Sequence, residues 1–202
     1  MVKQVRALSY EVLLVDDGSK DDTAKLAKEA GAIVLRHMIN RGQGSALRTG
    51  IKYALNNNFS RVVFFDADGQ MAPVEISKIL LPLQANQCQV ALGSRFLGQT
   101  KNMPWSRLIT LKLALLFTRL TTGLKLTDVH NGFQAWSAEA LKKLSLVQDR
   151  QAYASEILQE LADKKIKYQE VPVTIEYTEY SKKKGQSVFN AFNILWDLII
   201  KK

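Results

Sequence analysis

The chain has 202 residues, 47% apolar and 23% charged, enough for one domain with a real core and unlike a disordered, collagenous or coiled-coil composition. No run approaches the about 20 apolar residues that cross a bilayer. The opening MVKQVRALSYEV lacks the apolar centre of a signal peptide, and the single Cys88 can make no internal disulfide, so a cytoplasmic placement is expected. The net charge of +9 is uneven: residues 1–100 carry 12 Lys/Arg against 9 Asp/Glu, residues 101–202 carry 16 against 10, and no acid lies between Phe96 and Thr127. Such an excess suits solubility alone, or an anionic partner such as nucleic acid, a membrane surface or a phosphorylated substrate.

Apolar runs alternate with amphipathic segments along the sequence, the pattern of a mostly parallel sheet covered by helices. Val12–Val15 reads as a strand that stops at Asp16-Asp17-Gly18-Ser19. Asp22-Thr23 caps a helix that runs through Glu29, with Gly31 beyond its end. Ala32–Arg36 is a short strand, and Gly44–Asn56 a helix with Leu47, Ile51, Ala54 and Leu55 on one face. Arg61–Phe65 is a compact strand ending at Asp66-Ala67-Asp68-Gly69. Pro73 opens a helix to about Leu83, and Val90–Gly93 is a strand ending at Ser94-Arg95. Ser106–Leu120 reads as a long apolar and basic helix, Ser137–Leu144 and Ala154–Lys164 as further helices, and Gln169–Tyr177 as a strand. Val188–Ile200 is an apolar helix. No repeat, low-complexity tract or linker interrupts residues 1–202, which are read as a single domain.

Two strand ends carry acid clusters, and ligands of open α/β sheets bind beyond such ends. Residues i and i+2 of an extended segment point the same way, so Asp66 and Asp68 converge, with the Gln70 amide in reach. Hard oxygen ligands with positions left for water and phosphate suit Mg²⁺ or Mn²⁺. Taken alone, the same acids also serve as turn and cap residues, and so do Asp16 and Asp17.

VDDGSKDDT, NRGQGSALRTG, FFDADGQ and LGSRF, followed by TDVHNGFQAWS, ASEILQEL and EVPVTIEYTEY, stand in an order and spacing that resembles the family-two glycosyltransferases of GT-A (Rossmann-like) fold. The likeness is greatest to their dolichyl-phosphate mannose synthase and polyprenyl-phosphate hexosyltransferase branch, and it covers nearly the whole sequence.

The resemblance implies an inverting transfer of a hexose from a UDP- or GDP-sugar to a polyprenyl phosphate, with Mg²⁺ or Mn²⁺ as cofactor. Asp16 and Asp17 would line the nucleotide pocket, with Arg41 and the glycine-flanked start of the next helix near the diphosphate. Asp66, Asp68 and Gln70 would hold the metal, and Arg95 and Arg107 would grip the acceptor phosphate. The branch often has a hydroxyl one turn after the second arginine, where this protein has Leu111 beside Thr110. A lipid phosphate is already anionic and needs no strong base. A sugar hydroxyl in polysaccharide synthesis would need one, and Asp128 and Glu156 are the candidates, either catalytic or structural. His130 is expected to make local hydrogen bonds and His37 to close a strand.

Residues 104–126 and 188–202 suit a membrane interface, through Trp105, Leu108, Leu111, Leu115 and Phe117 with Arg107, Lys112 and Arg119, or alternatively a core or homodimer contact. This places the protein peripherally at the inner face of a membrane. Lys182-Lys183-Lys184 falls where the family has a basic segment near the site. Basic residues set among aliphatics give no stacking platform for nucleic acid. Enzymes of the resembled family open with a further strand and helix, of which Met1 marks the end. About thirty residues are therefore expected to be absent, with strand edges left unpaired and an inactive interaction module as the alternative function.

Overall fold

The computed structural model describes residues 1–178, so the tail helix expected over residues 188–202 and the lysine segment lie outside the described residues. A six-residue helix, α1 (Val2–Ala7), precedes β1 (Leu13–Asp16). There follow α2 (Thr23–Glu29), β2 (Ile33–Arg36), α3 (Gln43–Asn56) and β3 (Arg61–Phe64). A 3-10 turn at Pro73–Glu75 leads into α4 (Ile76–Gln84), then β4 (Val90–Lys101) and α5 (Trp105–Thr122). The described part ends with β5 (Gln134–Ser137), α6 (Ala138–Lys143), α7 (Tyr153–Asp163) and β6 (Tyr168–Glu176).

The α/β organisation is as expected, with a mixed sheet. β1 and β2 pair in parallel as a two-stranded sheet, and the other strands form a second sheet in the order β3-β5-β4-β6. β5, which the residue pattern did not reveal, is antiparallel to both of its neighbours, whereas β4 and β6 are parallel. Four residues with no β-branched side chain give a weak strand signal. Trp136 on this strand is fully buried, stacks on Phe64 at 5.9 Å and gives its indole N–H to Gln134 Oε1 at 3.0 Å.

β4 runs eight residues past the expected end because it keeps pairing with β6. The register shifts between Ser94 and Gln99, and this bulge turns Arg95 into the protein. Gly98 makes the close return possible, since a Cβ there would overlap the Val173 backbone.

Helices cover both faces of the sheets. Val5, Ile76, Ile79 and Leu80 from α1 and α4 share one core with Phe133, Val171, Val173 and Ile175. Ile51, Leu115, Leu141, Ile157 and Leu161 from α3, α5, α6 and α7 share a second core with Val90 and Trp136. Helix ends follow local chemistry: Ser137 Oγ accepts the Ala140 N–H at 3.2 Å to start α6, and Gly123 closes α5 at φ 71°.

On α5, Leu111 and Leu115 point into the core, so for these two side chains the core alternative holds in place of the membrane interface. The outward stripe is Trp105, Ile109, Leu113, Leu116 and Leu120. Among the described residues no helix is long and apolar enough to cross a membrane.

Candidate active site

The loop between α5 and β5 organises the site. Its Asp128 carboxylate lies in the core, with Oδ2 accepting the Arg95 backbone N–H at 2.9 Å, Arg95 Nε at 2.7 Å and Asn131 Nδ2 at 3.3 Å, and Oδ1 accepting the Val129 N–H at 2.8 Å. Glu170 of β6 fixes the start of this loop by accepting the backbone N–H groups of Thr127 and Asp128 at 2.9 and 3.1 Å. Arg95 Nη1 donates to Tyr177 Oη at 2.6 Å, which leaves Nη2 with no hydrogen bond among the described residues. Burial opposes the Arg95 charge, yet Asp128 and Tyr177 outweigh it and hold the guanidinium protonated well above its ordinary range.

His130, at φ 55°, projects beside Arg95 and Arg107 and bonds Ser155 Oγ at 3.0 Å. Burial first, and then the Arg107 and Arg95 charges, push its imidazole down to about 4. The two arginines expected to grip a phosphate therefore converge on one residue. Arg107 has no carboxylate partner among the described residues and lines a cavity of about 880 Å³ together with His130, Asn131 and Asp66.

Two residues further along the loop, Gly132 lies so close to the Asp66 carboxylate that a Cβ would overlap Oδ2. Asp66 Oδ1 accepts Gln43 Nε2 at 3.3 Å, and Asp68 Oδ1 accepts the Gln70 N–H at 3.0 Å. Burial, and then the neighbouring Asp68 charge, push the Asp66 carboxyl up to about 6. Crowded carboxylates of this kind gain most from a cation. Among the described residues no group of three His, Cys, Asp or Glu side chains is placed to hold a metal ion. Two neighbouring carboxylates are a donor set that fits Mg²⁺ or Mn²⁺, which take one or two carboxylates and leave positions for phosphate and water. The Gln70 carbonyl oxygen accepts the Glu176 N–H at 3.0 Å, and the Gln70 amide group has no hydrogen bond among the described residues.

The other acid cluster divides. Asp16 is buried, with Oδ1 on the Ser19 N–H at 2.9 Å and Oδ2 3.1 Å from Arg36 Nε without an aligned hydrogen bond. Both Asp17 oxygens are engaged, by the Arg41 N–H at 2.9 Å, the Gly42 N–H at 2.6 Å and His37 Nδ1 at 2.6 Å. Burial raises the Asp17 carboxyl, but these donors together hold it below its usual range. Asp17 thus anchors the start of α3, and Arg41 is left exposed.

Gly42 and Gly44 do not form an open cradle. A Cβ at either would overlap the carbonyls of Asp149 and Gln148, and the Ser45 N–H already donates to Asp149 O at 3.1 Å. Glu156 holds that segment from the other side, accepting the Val147 and Gln148 N–H groups at 2.8 and 3.0 Å. Asp128 and Glu156, the candidates for either a catalytic or a structural role, are both engaged in holding backbone and, for Asp128, Arg95. Tyr177, Tyr153, Gln43, Asn131 and Glu170 join the site without a signal in the residue pattern. Tyr153 is detectable only in three dimensions, where burial and then the Asp66 charge push its hydroxyl pKa up.

Residues 1–145 match the model of Glycosyl transferase family 2. The protein belongs to this family. It is 39% identical to Uncharacterized protein MJ1222 of Methanocaldococcus jannaschii, over all of this sequence and 85% of that protein. It is 36% identical to UDP-N-acetylglucosamine–dolichyl-phosphate N-acetylglucosaminyltransferase of Methanococcus voltae, over all of this sequence and 89% of that protein. The fold is that of Mycobacterium tuberculosis glucosyl-3-phosphoglycerate synthase, solved in complex with Mg²⁺ and uridine diphosphate. The TM-score is 0.71 at 18% identity, over 97% of this protein and 72% of that one. The family-two membership makes the protein a glycosyltransferase of GT-A fold.

Proposed function

We propose that this glycosyltransferase moves a hexose from a UDP- or GDP-sugar to a polyprenyl phosphate at a membrane surface. The observation that carries the reading is the commitment of Asp128 and Glu156. Neither has a free oxygen pointed at a reacting proton, while Arg95 Nη2 and Arg107 stay available around His130. A phosphate oxygen attacks without deprotonation and needs guanidinium groups to place it, whereas a sugar hydroxyl needs a base. The similarity to a protein named as a dolichyl-phosphate transferase points the same way.

Asp66 and Asp68 would hold the divalent cation. Once bound, it supplies Lewis-acid neutralisation of the charge that develops on the departing diphosphate. Asp16 keeps a buried oxygen free of aligned donors, suited to a ribose hydroxyl or base N–H. Asp17, through Arg41 and Gly42, sets the position of Gln43 against Asp66. Arg95, fixed by Asp128 and Tyr177, and Arg107 would orient the acceptor phosphate for in-line attack on the anomeric carbon. The outward α5 stripe, in a stretch free of acids, would rest on an anionic lipid surface with Lys112 beside it.

The test is a transfer assay with a panel of UDP- and GDP-sugars, undecaprenyl phosphate and Mn²⁺. Turnover is expected with one donor, and a loss of at least about a hundredfold in both Asp68→Ala and Arg95→Ala. Transfer to a sugar hydroxyl that survives Arg95→Ala but not Asp128→Asn would overturn the choice of acceptor.

A further inference from the structure

His130 stands beside both arginines of the proposed acceptor clamp, and its ring is engaged from one side only. The residue holds φ 55°, a left-handed backbone uncommon outside glycine, and lines the cavity of about 880 Å³ together with Arg107. Its Nε2 shares a hydrogen bond with Ser155 Oγ of α7 at 3.0 Å, whereas Nδ1 has none among the described residues. The half-buried ring thus keeps one nitrogen for a ligand. One turn beyond Arg107 on α5, Leu111 is buried in the core, and the neighbouring Thr110 hydroxyl donates to Ser106 O at 2.9 Å, so neither adds a free donor beside the arginine.

The charges that face the ring come from three places. Arg107 of α5 and Arg95 of β4 oppose its protonation, Asp128 of the same loop favours it less strongly, and α7 contributes the neutral Ser155 hydroxyl. Asp66 and Tyr153 also line the cavity. Burial is the larger effect and, with the two guanidiniums, keeps the imidazole neutral near pH 7. Because Asp128 is paired with Arg95 at 2.7 Å, Arg107 is the uncompensated cation of the group. A phosphate monoester brings roughly −1.5 to −2 charge at pH 7 and three strong acceptor oxygens. Set against Arg107, it leaves about one negative charge in excess beside His130, which favours an imidazolium. A phosphodiester carries a single negative charge, which Arg107 cancels, and burial then keeps the ring neutral.

We propose that His130 is the charge-reading residue of the acceptor site: it takes up a proton from solvent when a phosphate monoester dianion lies between Arg95 and Arg107, donates through Nδ1 to a phosphate oxygen, and returns the proton once the phosphate becomes a diester. The proposal rests on the reading of a phosphate acceptor. In that reaction a phosphate oxygen bonds the anomeric carbon while the bond from that carbon to the nucleoside diphosphate breaks, its electron pair leaving with the diphosphate. The acceptor phosphate passes from dianion to monoanion. Uptake of the proton holds the acceptor and its return loosens the product, so His130 sets a preference of the site for monoester over diester.

The protein has two histidines, His37 and His130, so the state of each ring can be followed by NMR of the full-length protein carrying isotope-labelled histidine. His130→Asn, compatible with the positive φ, tells the two signals apart. The rings are titrated in the protein alone and with citronellyl phosphate, its methyl diester or inorganic phosphate, while phosphorus line broadening reports the binding of each. With citronellyl phosphate the His130 midpoint is expected to rise from about 4 by at least about one pH unit, and with the diester by less than about a third of that. An equal rise with inorganic phosphate supports the proposal and makes the phosphate group alone the signal. Monoester that binds without moving the midpoint overturns the proposal and leaves the acceptor reading intact. So does a rise as large with the diester. Binding of neither citronellyl compound overturns the acceptor reading and the proposal with it.

Discussion

A single hydroxyl separates a directed guanidinium from a loose one at this site. Tyr177→Phe leaves Arg95 Nη1 without its acceptor while the Asp128 contacts stay. The expected cost is about 1 kcal/mol of stability and an about tenfold rise in KM for the proposed phosphate acceptor, with kcat and donor KM little changed. An unchanged acceptor KM would show that Tyr177 does not position Arg95. His130 gives a prediction in pH. Its folded value of about 4 lies below the ordinary 6.5, so between the two the unfolded state binds more protons than the folded one. The stability this residue contributes is present above about 6.5 and is lost as pH falls toward 4. His130→Asn, which tolerates the positive φ, should flatten the pH dependence of the unfolding free energy from urea titrations across that window, by at most about 3 kcal/mol. An equal slope in both proteins would refute the assignment.

At the scale of elements, the junction of α3 with the segment before α7 depends on two glycines. Gly44→Ala places a Cβ into Gln148 O and against Tyr153, and an overlap of this kind costs about 1–3 kcal/mol. The urea midpoint should fall accordingly, and donor binding should weaken because Gln43 and Tyr153 flank Asp66. Most helices and strands were legible from residue order, since apolar periodicity and turn residues act locally. The alternation expected to bring Asp66 and Asp68 together does not describe their backbone, since β3 ends at Phe64 and the chain turns at Ala67 and Asp68, although the two carboxylates are electrostatic neighbours. β5 was not legible, because Gln134-Ala-Trp-Ser acquires its strand form from neighbours on both sides. Nor were Tyr177 and Glu170 visible as site residues: they reach Arg95 and Thr127 across 82 and 43 positions of sequence. The roles of Asp128 and Asp17 needed the count of donors around each carboxylate, which spacing cannot supply.

For the whole molecule, the exposed apolar stripe of α5 is the surface feature that makes a prediction. Trp105 and Leu120, each 78% exposed, end the α5 stripe, and its middle is Ile109, Leu113 and Leu116. The double variant Leu113→Glu, Leu116→Glu should retain the melting temperature, because neither side chain belongs to a core. Co-sedimentation with phosphatidylglycerol vesicles should fall at least about tenfold. Undiminished vesicle binding would place the contact elsewhere on the surface.

In the proposed reaction the five residues Asp128–Gly132 would serve both substrates at once, with a counter-charge for Arg95 at one end and a glycine against Asp66 at the other. A shift of this loop on binding one substrate would then be felt where the other binds. Linkage makes such an effect reciprocal. If a bound sugar nucleotide tightens the lipid phosphate severalfold, the lipid phosphate tightens the sugar nucleotide by the same factor. The membrane surface, by concentrating one substrate, would then raise the protein's apparent affinity for the other.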